Sequence, residues 1–118
     1  HAADPYDPTC IRASVGALFA MPVQVCESFE EALSLLPLKP RIVGTSARGT
    51  VLIDEVDLTG PTLIMIGNET FGLGKNLKAA SDVLARIPIG GAASSLNAGC
   101  AASICLYEAA RQRARGRA

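Results

Sequence analysis

Two glycine-rich turns carry the residues that could do chemistry, and each turn follows a short apolar segment. The first covers residues 64–74 and the second covers residues 87–97. Glycine lets a backbone approach a flat ligand closely, so these turns can offer N–H and C=O groups to an adenine edge at the carboxyl ends of parallel strands. Each turn alone is equally explained as tight turning after a strand. Their joint occurrence with Ile87 and with the run Ser95-Leu96-Asn97 favours a ligand site.

Neither turn matches a phosphate loop or a dinucleotide fingerprint. The Walker pattern requires Gly at position 69 and Ser or Thr at position 76, where the sequence has Glu69 and Asn76. Gly67, Gly72 and Gly74 lack the G-x-G-x-x-G spacing, and no acidic residue follows at the end of a second strand. The sequence therefore argues against a nicotinamide-dependent dehydrogenase, whereas the adenine of S-adenosylmethionine suits such a site.

The order and spacing of these residues resemble motifs two and three of the SpoU/TrmH branch of the SPOUT methyltransferases. That pattern runs apolar-apolar-Gly-Asn-Glu-x-x-Gly-Leu, then Ile-Pro-apolar, then Ser-Leu-Asn before a long helix, and residues 65–73, 87–89 and 95–97 match it. Residues 4–19 resemble a stretch that often lies upstream in this family. The resemblance implies an S-adenosylmethionine-dependent RNA 2'-O-ribose methyltransferase that acts on transfer or ribosomal RNA.

The same resemblance implies an α/β fold in which helices flank a parallel sheet, of SPOUT type with a C-terminal trefoil knot. The segment from about Ser94 onward would thread a loop formed by residues near 64 to 93. An N-terminal motif of the family, with an Asn and an Arg on a βα unit, has no match. Residues 1–118 are therefore expected to be the C-terminal part of a SpoU-type domain, without that motif or a substrate-recognition domain.

The resemblance also implies that backbone groups and apolar side chains of the two turns hold the cofactor. The matching positions are Gly67, Ile87 and Leu96, and Thr45 lies on a third turn that usually helps. An ordinary core role for Ile87 and Leu96 is compatible with this, because an adenine pocket is largely apolar.

The candidates for the chemistry itself are Glu69, Asn97, Ser95 and Arg12. An acid beside apolar strands needs a hydrogen-bond donor, and the resemblance implies that Glu69 orients the active site. Ser95 or Asn97 could instead only cap the last helix. Arg12 matches an Arg-Ala-Ser near the substrate, with a salt bridge to Asp4 or Asp7 as the alternative.

The family assigns removal of the hydroxyl proton to the Arg of the unmatched motif. The chain alone is therefore expected to bind the cofactor and to be incomplete for catalysis. A non-catalytic cofactor-binding or dimerisation module of the same fold is the alternative.

Local signals predict the elements that position these residues. Asp7 and Pro8 predict a helix to about Leu18, and the capping box Ser28 to Glu31 predicts a second helix to about Leu36. Strands are predicted over residues 21–25, 41–45, 62–66 and 86–89, helices over 75–83 and 97–113, and an irregular segment over 51–58. Residues 98–106 are apolar or small on every side, which predicts burial all round. The alternation of strands and helices independently predicts a parallel sheet.

The charges balance over the whole chain but are unevenly distributed. Lys and Arg number 11 and Asp and Glu number 11, and the 118 residues, 49% hydrophobic, suffice for one core. Residues 1–60 hold eight acids and four bases, and residues 61–118 hold three acids and seven bases. Arg111, Arg113, Arg115 and Arg117 are equally compatible with a solvated helix terminus and with RNA phosphate contacts.

The remaining composition predicts a cytoplasmic protein without a metal site. Cys10, Cys26, Cys100 and Cys105 have no zinc-type spacing, and buried reduced thiols are the favoured interpretation. No apolar run approaches about 18 residues, so no membrane association is expected. Family members are usually homodimers, and a homodimer is expected here.

Overall fold

The computed structural model of the chain describes residues 6–13, 15, 20–67, 73–89 and 97–116. The chain divides into two compact units, residues 1–36 and residues 37–118.

The first unit begins with a short helix, α1, over Pro8–Ala13. The Asp7 carboxylate accepts a hydrogen bond from the Thr9 N–H at 2.8 Å, as the predicted cap requires. The prediction that this helix reaches Leu18 is wrong in its described part, because Val15 has a φ of 53° and is 90% exposed. A β-branched residue in the left-handed region cannot continue a right-handed helix.

Residues 22–26 have no regular structure, so the strand predicted over 21–25 is wrong. A strand needs a neighbour for its backbone hydrogen bonds, and no strand pairs with this segment in the described part of the chain. The second helix, α2, covers Phe29–Ser34 and ends close to the predicted point. The Ser28 hydroxyl accepts the Glu31 N–H at 3.1 Å, which confirms the local capping signal.

The second unit contains a sheet of four parallel strands in the order β2-β4-β1-β3. The strands are β1 (Arg41–Thr45), β2 (Val51–Leu52), β3 (Thr62–Met65) and β4 (Val83–Arg86). The parallel sheet and the bounds of β1 are confirmed. The segment predicted to be irregular instead contains β2 and a 3₁₀ turn over Ile53–Glu55. β4 begins three residues before its predicted start, at Val83, because pairing of Val83 with Val43 sets its register.

The other helices of this unit are α3 (Lys75–Ala80) and α4 (Ala98–Gly116). Cys105 and Ala109 of α4 share the buried core with Val43 and Ala85 of the sheet. Gly44, the next residue of β1, points to the opposite face, where a Cβ atom would collide with the Ser81 hydroxyl and lie 2.9 Å from Leu84 Cδ2. Helices therefore cover both faces of the sheet, as predicted, and the α3 side approaches β1 so closely that glycine is required.

The expectation that residues 98–106 are buried all round is wrong. Of these residues only Cys105 is buried, and Ile104 and Leu106 are 39% and 60% exposed. Burial raises the pKa of the Cys105 thiol, whereas Cys100 is exposed, so the expectation of buried thiols fails there. The helices that the structure describes include none long and apolar enough to span a membrane.

Candidate functional site at the carboxyl edge of the sheet

Three adjacent strands of the second unit end at one edge of the sheet. β4, β1 and β3 lie side by side in that order, and all run in the same direction. Their last residues are Arg86, Thr45 and Met65. The predicted cofactor positions Ile87, Thr45 and Gly67 therefore lie at this carboxyl edge, where ligands bind in open parallel sheets.

The Thr45 hydroxyl joins two of these strand ends. It donates a hydrogen bond to the Met65 carbonyl at 2.8 Å, and the group is partly buried. A hydroxyl has a single proton to donate, so this bond commits the donor of Thr45 to β3. The bond fixes the end of β3 immediately before Ile66 and Gly67.

Apolar side chains line the same edge. Ile66 and Ile87 are partly buried and pack against the core cluster that includes Val43 and Ala85. Gly67 is also partly buried. Both predicted roles of Ile87 are compatible with this geometry, because one side chain can close the core below and present an apolar surface to a flat ligand above.

A compact turn over residues 46–49 lies beside β4, directly after Thr45, where the sequence analysis expected a third turn. The Ser46 N–H donates to the Ala85 carbonyl at 3.0 Å, and the Gly49 N–H donates to the Ser46 carbonyl at 3.0 Å. The Ser46 hydroxyl accepts the Arg48 N–H at 3.2 Å. A serine three residues before a glycine, directly after a strand, was the local signal for this turn.

Asn97 begins the last helix. Its side-chain oxygen accepts the N–H groups of Gly99 at 2.8 Å and Cys100 at 3.3 Å, and its backbone carbonyl accepts the Ala101 N–H at 2.9 Å. Of the two predicted roles of Asn97, the structure supports the cap, since the carboxamide oxygen meets the first free N–H groups of α4. A part in chemistry stays a prediction.

The other predicted site residues have no described geometry at this edge. Glu69, Ser95 and Leu96 lie outside the described residues. Arg12 is exposed on α1 of the first unit, and its role stays a prediction. The trefoil knot also stays a prediction, because residues 68–72 and 90–96 of the proposed crossing are outside the described part.

The C-terminal half of α4 is anchored to the segment that follows the 3₁₀ turn. The Gln112 carboxamide accepts the Leu58 N–H at 2.8 Å and donates to the Val56 carbonyl at 2.9 Å. Arg113 donates to the carbonyls of Leu58 at 3.0 Å and Gly60 at 2.9 Å. Arg113 therefore has an intramolecular role that the sequence analysis did not consider.

Glu108 lies almost fully buried on the same helix, where Arg111 and Gln112 satisfy its carboxylate. The Arg111 guanidinium donates at 2.9 Å and 2.7 Å, and Gln112 donates at 2.8 Å. The hydrogen bonds from Arg111 hold the pKa of Glu108 below its ordinary value, aided by Gln112 and by the positive charges of Arg111 and Arg115, although desolvation opposes the shift. Arg111, like Arg113, is therefore engaged within the fold.

Comparison with known proteins places this chain in a family. Residues 1–107 match the profile of the SpoU rRNA methylase family. The chain belongs to this family. A 23S rRNA (uridine(2479)-2'-O)-methyltransferase of Streptomyces viridochromogenes is 42% identical over an alignment of 123 positions, gaps included. The alignment covers 99% of this chain and 43% of the relative. This family membership confirms the resemblance found in the sequence.

Solved SpoU structures extend the likeness to the backbone. The SpoU methyltransferase AviRb from S. viridochromogenes, in complex with the cofactor AdoMet, has a TM-score of 0.89 and 41% identity over 98% of this chain and 48% of that protein. An AdoMet-bound rRNA methyltransferase from Sinorhizobium meliloti has a TM-score of 0.85 and 32% identity over 94% of this chain and 43% of that protein. The SPOUT-type fold is therefore confirmed, and this SpoU chain spans less than half the length of these relatives.

Proposed function

We propose that this chain is the cofactor-binding part of an S-adenosylmethionine-dependent RNA 2'-O-ribose methyltransferase that acts on ribosomal or transfer RNA in the cytoplasm. The observation that carries the proposal is the likeness, at a TM-score of 0.89 and over 98% of the chain, to a SpoU methyltransferase in complex with AdoMet. The carboxyl edge of the sheet supports it independently, because apolar side chains and Gly67 lie together there.

The residues of this edge fit an adenine-containing cofactor. Ile66 and Ile87 provide an apolar surface that is anchored in the core, and Gly67 has no side chain that would keep a ligand away from its backbone. Leu96, from the second turn, would complete the apolar lining. When bound, S-adenosylmethionine would supply a methyl group activated by its sulfonium.

The residues of this chain would then serve binding and orientation. The Thr45 bond to the Met65 carbonyl fixes the end of the strand that leads to Gly67. Glu69, Ser95, Asn97 and Arg12 are proposed to orient the ribose and its hydroxyl. Transfer to an oxygen requires the acceptor in line with the sulfonium and a group that takes the hydroxyl proton. The family resemblance assigns the proton to an arginine of the motif that has no match in this sequence.

Calorimetric titration with S-adenosylhomocysteine tests the cofactor site. Wild-type protein is expected to bind saturably, and both Ile87→Arg and Leu96→Arg should abolish the binding because a charged side chain would occupy an apolar pocket. Leu38→Arg is the matched control, since Leu38 is 65% exposed in the loop before β1 and should tolerate the change. Binding that survives in Ile87→Arg would contradict the proposed site.

We also infer that this chain forms a homodimer through α4. Cys100, Ile104 and Tyr107 are spaced by four and three residues, so they share one side of the helix. Ile104 and Tyr107 are 39% and 71% exposed, which leaves an apolar stripe on a helix that otherwise anchors to the core. A second copy of this stripe would cover it.

Sedimentation equilibrium tests the dimer. Tyr107→Asp should shift the protein to a monomer, because it places a charge in the middle of the contact. Leu38→Asp, an equally apolar and exposed position outside α4, should remain dimeric. A wild-type monomer at all accessible concentrations would remove the dimer from the proposal.

The alternative function is a non-catalytic module that binds the cofactor or dimerises. Methyl transfer to RNA by a protein that contains this chain, compared with its Glu69→Ala variant, separates the two. Transfer by the unmodified protein that Glu69→Ala reduces would exclude the module, whereas cofactor binding without any transfer would support it.

A further inference from the structure

Arg48, at the carboxyl edge of the sheet, lies on a turn whose backbone is hydrogen-bonded on both sides of it. Arg48 lies on the compact turn 46–49, and its own N–H bonds to the Ser46 hydroxyl at 3.2 Å. Ser46 and Gly49 bond to the Ala85 and Ser46 carbonyls, both at 3.0 Å. The hydrogen bonds to the turn therefore fix the backbone on both sides of Arg48.

Close packing against β4 fixes the place of this turn. A Cβ atom on Gly49 would lie 2.6 Å from the Ala85 carbonyl carbon and 2.8 Å from the Arg86 backbone nitrogen. Real side chains do not approach a backbone so closely, so the turn can rest on β4 only because residue 49 is glycine. The turn therefore presents Arg48 beside the last residues of β4, immediately before Ile87 of the proposed cofactor site.

The Arg48 side chain is exposed, and it makes no hydrogen bond or ion pair within the described part of the chain. It differs in this from Arg111 and Arg113, which the fold uses. Arg86, at the end of β4, adds a second positive charge to this edge. The described acids that follow Arg48 most closely in sequence are Asp54 and Glu55, directly after the outer strand β2. The Glu55 carboxylate already accepts the Leu52 N–H at 3.1 Å.

We propose that Arg48 binds a backbone phosphate of the RNA substrate next to the ribose that is methylated. The inference rests on the proposed RNA methyltransferase function and adds a substrate-binding residue to it. A guanidinium makes two parallel hydrogen bonds to phosphate, and a rigid backbone lowers the entropy lost when it does so. Arg48 thereby positions the RNA strand across the carboxyl edge, over the cofactor.

Fluorescence anisotropy with a labelled single-stranded RNA of mixed sequence, over a series of KCl concentrations, tests this. Arg48→Gln should weaken RNA binding about three- to tenfold at low salt. The plot of log association constant against log salt concentration should become less steep by about 0.7, the value for one lost phosphate contact on a single strand. Arg48→Lys should keep most of the slope, because the charge remains. Arg41→Gln is the matched control, since Arg41 is an exposed arginine at the opposite end of β1.

Each protein is also titrated with S-adenosylhomocysteine and melted thermally, and both results should be the same for Arg48→Gln as for wild type. An equal effect of Arg41→Gln would show attraction by net charge alone and overturn the inference. Loss of S-adenosylhomocysteine affinity in Arg48→Gln would show that the guanidinium binds the cofactor carboxylate instead.

Unchanged RNA binding in Arg48→Gln, or no RNA binding by the wild type, would also overturn the inference. The proposed cofactor site would survive either result if S-adenosylhomocysteine still binds. Failure of the wild type to bind S-adenosylhomocysteine would contradict the proposed function itself.

Discussion

The two halves of α4 reverse what their compositions suggest. The first half, from Ala98 to Leu106, is apolar and small, yet it is largely exposed. The second half carries Glu108, Arg111, Gln112 and Arg113, yet the hydrogen bonds of Gln112 and Arg113 attach it to residues 56–60. Composition therefore indicates which interactions a helix could make, but the surface against which the helix lies decides which half makes them.

Gln112→Ala should give the largest effect on this comparison. It leaves the Leu58 N–H and the Val56 carbonyl without their side-chain partner, and Leu58 is fully buried. The free energy of unfolding should fall by about 2 kcal/mol, the usual cost of unpaired buried polar groups. Urea denaturation monitored by circular dichroism measures it.

Ser103→Ala is the matched change in the first half. Its exposed hydroxyl donates to the Gly99 carbonyl of the same helix at 2.8 Å. Its effect should stay within about 0.5 kcal/mol. Equal losses in the two variants would contradict the view that polar side chains anchor the second half of the helix and not the first.

Asn97→Ala should have an intermediate effect. It removes the cap on the Gly99 and Cys100 N–H groups, and loss of such a cap costs about 1 kcal/mol. Asn97→Ser should restore most of this stability, because serine also caps. If Asn97→Ser is stable but still loses methyl transfer or cofactor binding, Asn97 has the additional role predicted from the family.

The Glu108 carboxylate, in the second half of α4, should make a smaller contribution to stability that depends on pH. Its pKa is lowered in the folded protein, chiefly by the hydrogen bonds from Arg111. A carboxyl group with a lowered folded pKa stabilises the protein above its unfolded pKa, and this contribution disappears as the pH falls through the folded pKa. Stability should therefore decline as the pH drops below the ordinary value of 4.5.

Other carboxylates titrate in the same range, so the measurement compares wild type with Glu108→Gln from pH 7 to pH 3. The variant lacks this one titration, and the gap between the two stability curves should narrow toward low pH. A constant difference in stability between the two proteins over the whole pH range would mean that the charge of Glu108 does not contribute to the stability of the fold.

Signals that act within a few residues were predicted well from the sequence. The caps at Asp7 and Ser28 depend on a side chain and a backbone N–H only two or three residues away. The strand Arg41–Thr45 was also found with its observed bounds. The motif predicted a candidate site, and the structure brings three of its positions, Thr45, Gly67 and Ile87, to one edge of the sheet.

Signals that depend on distant partners were missed. The two residues of β2 are a strand only because they pair with Ala85 and Arg86, and β4 begins at Val83 because Val43 lies opposite. A turn was expected after Thr45, but its position against the β4 backbone at Gly49 was not. None of these partners is a neighbour in sequence.

The sequence by itself determined the family and the alternation that makes a parallel sheet, because motif spacing and local hydrogen bonding depend on consecutive residues. Only the tertiary structure decided which face of α4 is covered, which arginines the fold uses and which one remains exposed beside the site. Burial and pairing depend on residues about 40 to 60 positions apart, since Gln112 bonds to Val56 and Leu58 and Ile42 bonds to Asp82. Chain folding brings such residues together, and periodicity within one segment cannot specify which of them will be in contact.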